Sequence, residues 1–123
     1  MTWIFTSDRP IYSQLVDQIQ LKILSGEYKA GDRLMSIRDL SADAAVNPNT
    51  MQRALSELEQ LGLVYTQRTS GRFITDDKEK IAQIRHNYAK KSIEDCVYQM
   101  KSLGYNTEDM VSLVKSIIEE ESK

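Results

Sequence analysis

Hydrophobic residues recur every three or four positions through most of this chain, and this period breaks only over a short stretch in the middle. The spacing of four that follows Pro10 draws one apolar stripe along a helix. Proline suits the first turn of a helix and glycine its end, so the first predicted helix begins at Pro10 and ends near Gly26. Its stripe consists of Ile11, Leu15, Ile19 and Ile23.

Two further helices are predicted after a turn around Gly31. Ser36 is a suitable N-cap for the second helix, because its hydroxyl can accept a hydrogen bond from a free N–H of the first turn. Asn47 followed by Pro48 is a strong start signal for the third helix, which Gly62 ends. The residues expected to face inward are Ile37, Leu40 and Ala44 in the second helix and Met51, Ala54, Leu55 and Leu58 in the third.

After Gly62 the spacing of the hydrophobic residues no longer follows the helical period. Residues 63–68 and 72–75 are rich in β-prone residues and flank Thr69-Ser70-Gly71, which predicts a β-hairpin. Three helices followed by a hairpin, with a tight connection between the second and third helices, are the layout of a winged helix-turn-helix. The predicted fold is therefore mainly α with a small β-hairpin wing, and this first domain covers residues 1–75.

The remaining residues, 76–123, are predicted to form two C-terminal helices. One long helix runs from Asp77 to about Tyr105 and spans about 40 Å at about 1.5 Å per residue. The last helix begins at Asn106 or Thr107. The two helices present more apolar positions than they can bury alone, so we expect them to pack against a second chain as dimerisation helices. The residues expected at that interface are Ile84, Tyr88, Val97, Met100, Val114, Ile117 and Ile118. The alternative is that both helices fold back on the first domain.

The composition excludes several classes of protein. A hydrophobic content of 41% with a net charge of −2 is typical of a folded protein rather than a disordered one. No apolar run is long enough for a membrane helix and no secretory signal opens the chain, so a cytoplasmic protein is expected. The single cysteine, Cys96, cannot form an internal disulfide, and with a single histidine, His86, the chain cannot assemble a Cys/His zinc cluster from its own residues. We expect Cys96 to be a small packed residue. No metal, cofactor or catalytic activity is predicted.

The charge distribution leaves room for a nucleic-acid partner. A pI near 5.4 argues mildly against such a partner. However, residues 1–75 carry eight Lys/Arg and eight Asp/Glu, whereas residues 76–123 carry eight and ten. The acidic excess therefore lies in the second part of the chain, and a local basic surface on the first part is compatible with the sequence.

The start of the third helix and the hairpin tip carry the candidate chemistry. A helix fits the DNA major groove, and its first turn offers free N–H groups and a positive dipole end to a phosphate. Asn and Gln can pair with adenine, and Arg with guanine or phosphate. The hairpin tip brackets small residues between Arg68 and Arg72, as expected of a wing that lies against the DNA backbone or minor groove.

Four runs of residues, 31–40, 46–55, 58–64 and 71–74, resemble the N-terminal domain of GntR-type regulators. The Asn47-Pro48-Asn49-Thr50 form, with about 48 residues remaining, is similar to the YtrA subfamily, whose members carry two C-terminal dimerisation helices. The resemblance implies DNA contacts from Ser36, Arg38, Asn47, Asn49, Thr50, Gln52, Arg53, Arg68, Thr69, Ser70, Gly71 and Arg72.

Two departures from the family pattern affect this prediction. Met35 replaces a usual proline, and Thr69 replaces the first glycine of the wing, which could alter how closely the wing backbone approaches DNA. In addition, Arg38 and Arg53 could instead pair with Asp39 or Glu57 on their own helices.

The function predicted from the sequence is that of a sequence-specific regulator, a repressor that binds a palindromic operator on double-stranded DNA as a homodimer. The family resemblance suggests a transporter operon as its target. The competing hypotheses are a winged-helix adaptor that binds protein without DNA, which the acidic pI favours, and a small-molecule sensor. The sensor hypothesis rests on Tyr65, Tyr88, Tyr98 and Tyr105, and whether an effector exists is left open.

Overall fold

The computed structural model describes residues 3–123, which form five helices and one hairpin. The chain divides after Ile84 into two compact units, the second of which is Arg85–Lys123. The elements are α1 (Ile11–Leu24), α2 (Ile37–Ala44), α3 (Pro48–Gln60), β1 (Val64–Gln67), β2 (Gly71–Ile74), α4 (Lys78–Ser102) and α5 (Thr107–Glu121). The predicted fold class, a mainly helical winged helix with two further helices, is confirmed.

The core of the first unit lies between α1, α2, α3 and the hairpin. Its fully buried side chains include Leu15 and Ile19 of α1, Leu40 of α2 and the whole inward stripe predicted for α3. The prediction for Ile11 is wrong, because this first residue of α1 is 37% exposed. The stripe instead begins at Leu15, one turn later.

The helix ends form as the sequence predicts. The Ser36 hydroxyl accepts a hydrogen bond from the Asp39 N–H at 3.1 Å, and Asn47 Oδ1 accepts one from the Asn49 N–H at 2.8 Å. At the end of α3, the Leu63 N–H donates to the Leu58 carbonyl. Gly62, the residue before Leu63, has a φ of +82°. A helix that ends in a left-handed glycine followed by such a hydrogen bond has the usual glycine-based C-terminal cap.

The hairpin is antiparallel, with Val64 opposite Ile74 and Gln67 opposite Gly71. A third segment pairs with it, because Arg33 forms a β-bridge with Phe73. The Leu34 N–H donates to the Arg72 carbonyl, and the Ile74 N–H donates to the Asp32 carbonyl, both at 2.8 Å. The segment that the sequence analysis assigned to a turn around Gly31 therefore continues into a short strand-like stretch that fixes the base of the hairpin.

The segment before α1 is held by one buried amide. Gln14 is 3% exposed, and its side chain accepts from the Thr6 N–H at 2.8 Å and donates to the Thr6 and Arg9 carbonyls. The Trp3 indole N–H donates to Asp43 of α2 at 2.9 Å. The chain preceding α1 is thus part of the first unit.

The first unit extends beyond the boundary expected at residue 75. Ile81 and Ile84, in the first turns of α4, pack against the core of this unit, which accounts for the division after Ile84. Ile84, expected at a dimer interface, therefore lies in the packing of the winged helix itself. Among the residues described, no helix is long and apolar enough to cross a membrane.

The turn between α2 and α3 carries a strained residue, and relieving this strain should stabilise the protein. Ala45 has a φ of +56°, which costs a non-glycine residue roughly 1–2 kcal/mol. Glycine also has more conformational freedom than alanine in the unfolded chain, which lowers the free energy of unfolding by about 0.4–1 kcal/mol. We therefore expect Ala45→Gly to raise the free energy of unfolding by about 0.5–1 kcal/mol in urea titrations.

Ala42→Gly is the matched control, since Ala42 is an exposed residue within α2. It should lower the free energy of unfolding by about 0.5–1 kcal/mol. Equal losses from both substitutions would show that Ala45 is not strained.

Candidate nucleic-acid interface

The exposed face of α3 carries the polar residues predicted to contact DNA. Residues three and four apart lie on one face of a helix, and Asn49, Gln52 and Arg53 are all exposed. The opposite face, with Met51, Ala54, Leu55 and Leu58, is 0% exposed. The core packing therefore presents these three polar side chains to solvent, while Thr50 is half-buried.

The first turn of α3 combines these side chains with one free backbone donor. Asn47 is the N-cap residue, and Pro48 occupies the first helical position, where no N–H is needed. The Asn49 N–H donates to the Asn47 side chain and the Met51 N–H to the Asn47 carbonyl. The Thr50 N–H and the positive end of the helix dipole are left at this turn, and both favour an anion such as a phosphate. Asn47 itself is exposed.

Arg53 is held by an aromatic ring of another helix. Its guanidinium carbon lies 3.5 Å from the centre of the Tyr12 ring of α1, a cation–π contact. Both Arg53 and Glu57 are described, and no ion pair joins them. The stack orders Arg53 without neutralising it, so its charge stays available to a ligand.

The start of α2 presents a second polar surface. Ser36 and Arg38 are both exposed. The Ser36 hydroxyl oxygen already accepts from the Asp39 N–H, which leaves its O–H group free to donate. For the described side chains of Arg38 and Asp39 no ion pair forms, so the alternative pairings proposed for the two arginines are both absent from this structure.

The wing tip tolerates the threonine at position 69. The Ser70 N–H donates to the Gln67 carbonyl at 3.2 Å, so the turn runs through Arg68 and Thr69. The left-handed residue is Gly71, with a φ of +104°, and an added Cβ there would lie 3.3 Å from Arg33 Nε. The glycine that the wing requires is thus Gly71, and Thr69 does not adopt a positive φ.

Arg72 leaves the wing tip and packs against α3. Its Nη2 donates to Gln52 Oε1 at 3.1 Å, and its Nε lies 3.4 Å from Glu59 Oε1 in an ion pair. The hydroxyl of Thr66, the cross-strand partner of Arg72, donates to the same Glu59 oxygen. The wing and the exposed face of α3 are therefore joined by side chains, a link that the sequence analysis missed because the residues are distant in sequence.

A groove of about 570 Å³ lies between the wing and the start of α2. Ser36, Arg33, Arg68 and Arg72 line it, together with the acidic Asp39. Arg33 was not among the predicted site residues, and its placement beside Gly71 depends on the bridge to Phe73. The groove and the Arg72–Gln52 contact make one continuous surface from α2 through the wing to α3.

The second unit carries an apolar groove. An open groove of about 600 Å³ lies between α4 and α5, and Val97, Met100 and Val114 are among its lining residues. The side chains of Ile117 and Ile118 are 49% and 61% exposed. Apart from Ile84, the predicted interface residues are thus either in this groove or exposed on these helices.

The other candidate groups of the second unit contribute no clustered site. Cys96, expected to be packed, is exposed, with its sulfur 3.9 Å from that of Met100, because it lines the open groove. Among the described residues no group of three His, Cys, Asp or Glu side chains could hold a metal ion.

Of the four tyrosines considered for a sensor, Tyr65 stacks on Phe73 within the hairpin and Tyr98 is 75% exposed.

Several known proteins resemble this chain along most of its length. The family model for "Bacterial regulatory proteins, gntR family" matches residues 11–74. YhcF of Bacillus subtilis (strain 168), an uncharacterized HTH-type transcriptional regulator, is 39% identical over 94% of this chain and 95% of that protein. The HTH-type transcriptional repressor YtrA of the same organism is 30% identical over 90% of this chain and 86% of that protein. A solved structure of a GntR family transcriptional regulator from Listeria monocytogenes is 41% identical and superposes with a TM-score of 0.88, covering 91% of this chain and 98% of that one.

Removing the Glu59 carboxylate, which contacts both strands of the wing, should destabilise the first unit. Glu59 accepts from Thr66 and pairs with Arg72, whose side chain is only 19% exposed. Glu59→Ala leaves that guanidinium without its anion, so we expect the free energy of unfolding to fall by about 1–2 kcal/mol in urea titrations.

Glu57→Ala provides the control, because Glu57 is an exposed glutamate of the same helix and should change the free energy of unfolding by less than about 0.5 kcal/mol. If the two alanine variants are equally stable, Glu59 does not anchor the wing.

Proposed function

This chain belongs to the GntR family of bacterial regulatory proteins, which are DNA-binding transcription regulators and not enzymes, and we propose that it is a repressor that binds a palindromic operator as a homodimer. The observation that carries the proposal is the exposed face of α3, where Asn49, Gln52 and Arg53 stand opposite a fully buried stripe. This face joins the wing through Arg72.

The surface suits the two kinds of contact that sequence-specific binding needs. Arginines and backbone N–H groups contact phosphates, which positions the protein and gives most of the salt-sensitive affinity. Amide side chains read base edges in the major groove. We assign base contacts to Asn49 and Gln52, and phosphate contacts to Arg38, Arg53 and Arg68.

The proposed dimer interface lies on the second unit. Apolar side chains that would otherwise face water line its groove or lie exposed on α4 and α5, and a second copy of the same helices supplies a matching apolar surface. A two-fold dimer presents two copies of α3 to successive major grooves about 34 Å apart, or a multiple of this distance. Such an arrangement matches a palindromic operator.

Repression is proposed because YtrA, 30% identical over most of both chains, carries the name of a transcriptional repressor. The resemblance to the YtrA subfamily also suggests a transporter operon as the target, and a regulator of this kind works in the cytoplasm. The adaptor hypothesis draws support from the acidic balance of residues 76–123, and the DNA-binding experiment below decides between the two.

DNA binding should be measurable with duplexes that the protein itself selects from a randomised pool. We expect salt-sensitive binding by fluorescence anisotropy, with an affinity that falls steeply as salt rises. Arg53→Ala should weaken this binding at least several-fold, on the order of a 1 kcal/mol loss or more, without unfolding the protein.

Lys90→Ala removes one positive charge from an exposed position of α4 and serves as the control, with affinity close to that of the unmodified protein. Absence of any selected, salt-sensitive duplex would favour the adaptor, and unchanged affinity and salt slope in Arg53→Ala would remove Arg53 from the interface.

Assembly can be tested by placing a charge in the apolar groove. Val114→Asp buries a carboxylate at the proposed interface, so it should shift the protein from dimer to monomer in sedimentation equilibrium and weaken duplex binding. Ser112→Asp is the control, because residue 112 lies on the far side of α5 from residue 114 by helical geometry, and it should leave the dimer intact. A monomeric unmodified protein, or a dimer that Val114→Asp does not affect, would contradict this interface.

A further inference from the structure

We propose that Arg72 acts as a positioning residue that fixes the side-chain amide of Gln52 in the orientation that reads adenine. The inference rests on the proposed function and deepens it, since it names the base and assigns to Arg72 a role other than phosphate contact. It starts from the hydrogen bond between Arg72 Nη2 and Gln52 Oε1, 3.1 Å long.

The contact determines which end of the Gln52 amide carries the oxygen. A guanidinium can only donate hydrogen bonds, so the amide atom that faces Arg72 must be the acceptor. Ser56 does not decide this orientation by itself, because a hydroxyl both donates and accepts. The Gln52 Nε2 group donates to Ser56 Oγ at 3.2 Å, which agrees with the orientation that Arg72 imposes.

The two contacts leave one acceptor and one donor on the amide. The carbonyl oxygen has two lone pairs and the nitrogen two N–H groups, and Arg72 and Ser56 occupy one of each. In the major groove adenine presents an N6–H donor beside the N7 acceptor, which matches this remaining pair. Guanine presents two acceptors, O6 and N7, and would place an acceptor against the amide oxygen.

Arg72 is itself placed beside α3 by an ion pair. Its side chain is 19% exposed, and its Nε lies 3.4 Å from Glu59 Oε1 without a hydrogen bond between these two atoms. Gln52, Ser56 and Glu59 are spaced four and three apart, so they lie along one side of α3, and Thr66 contacts Glu59 from the neighbouring strand. The amide is therefore oriented before DNA binds, and binding need not order it.

The test compares base preference rather than affinity alone. Duplexes that the unmodified protein selects from a randomised pool are substituted at each position, and affinity is measured by anisotropy. Gln52→Ala identifies the position that Gln52 reads, where the unmodified protein should prefer adenine by about ten- to a hundred-fold. Arg72→Ala should reduce that preference to about two-fold or less at this position only, and Arg72→Lys, which still donates, should keep most of it.

A phosphate contact by Arg72 gives a different result. Arg72→Ala would then weaken binding equally on all duplexes, lower the salt slope by about one, and leave the adenine preference intact. This outcome overturns the inference while the proposed function stands. A preference for another base at the position read by Gln52 would also overturn it, and failure of the unmodified protein to select any duplex removes both proposals.

Two controls separate orientation from general damage. In the Gln52→Ala background, Arg72→Ala should cause no further loss of preference, because the two residues act on one contact. Arg68→Ala removes an arginine that is exposed at the wing tip and should weaken all duplexes alike. Thermal unfolding of each variant excludes a folding defect, and a loss of preference that spreads to every position in Arg72→Ala would contradict the inference.

Discussion

The buried stripe of α3 is the constraint on which the rest of the structure depends. Met51, Ala54, Leu55 and Leu58 are all 0% exposed, so α3 can neither rotate nor slide without opening the core of the first unit. Because a helix has fixed angular spacing, this single constraint also decides which residues face outward. The polar face that we assign to DNA is therefore rigid for the same reason that the unit is stable.

The other elements of the first unit fix where α3 begins, how Arg53 is oriented and where the wing lies. The cap at Asn47 and the turn at Ala45 set where α3 begins, and Tyr12 stacks on Arg53 from α1. The wing is fixed twice, at its base by the bridge from Arg33 to Phe73 and along its side by Glu59. The negative charge of Glu59 lies beside a surface proposed for a polyanion, where it serves to hold Arg72 rather than to meet the ligand.

The helices, their caps, the hairpin and the family could be predicted from the sequence, since each depends on residues close together in the chain. Asn47-Pro48 and Gly62 mark the ends of α3 by local chemistry alone. Most features that escaped prediction depend on side-chain and backbone contacts that no spacing pattern identifies. The pairing of Arg33, the packing of Ile84 and the link from Arg72 to Gln52 join distant parts of the chain, and Gln14 contacts the irregular segment before α1. No pattern of spacing identifies the partner of such a side chain, because tertiary packing alone decides it.

The central claim, that the exposed face of α3 is the surface that meets DNA, is tested most directly by an NMR titration of the whole chain with a selected duplex. We expect the backbone amides of Asn47 and of residues 49–53, together with the side-chain amides of Asn49 and Gln52 and the backbone amides of the wing tip, to shift most. Shifts confined to α5, or a surface on α3 that stays unperturbed while the duplex binds, would contradict it.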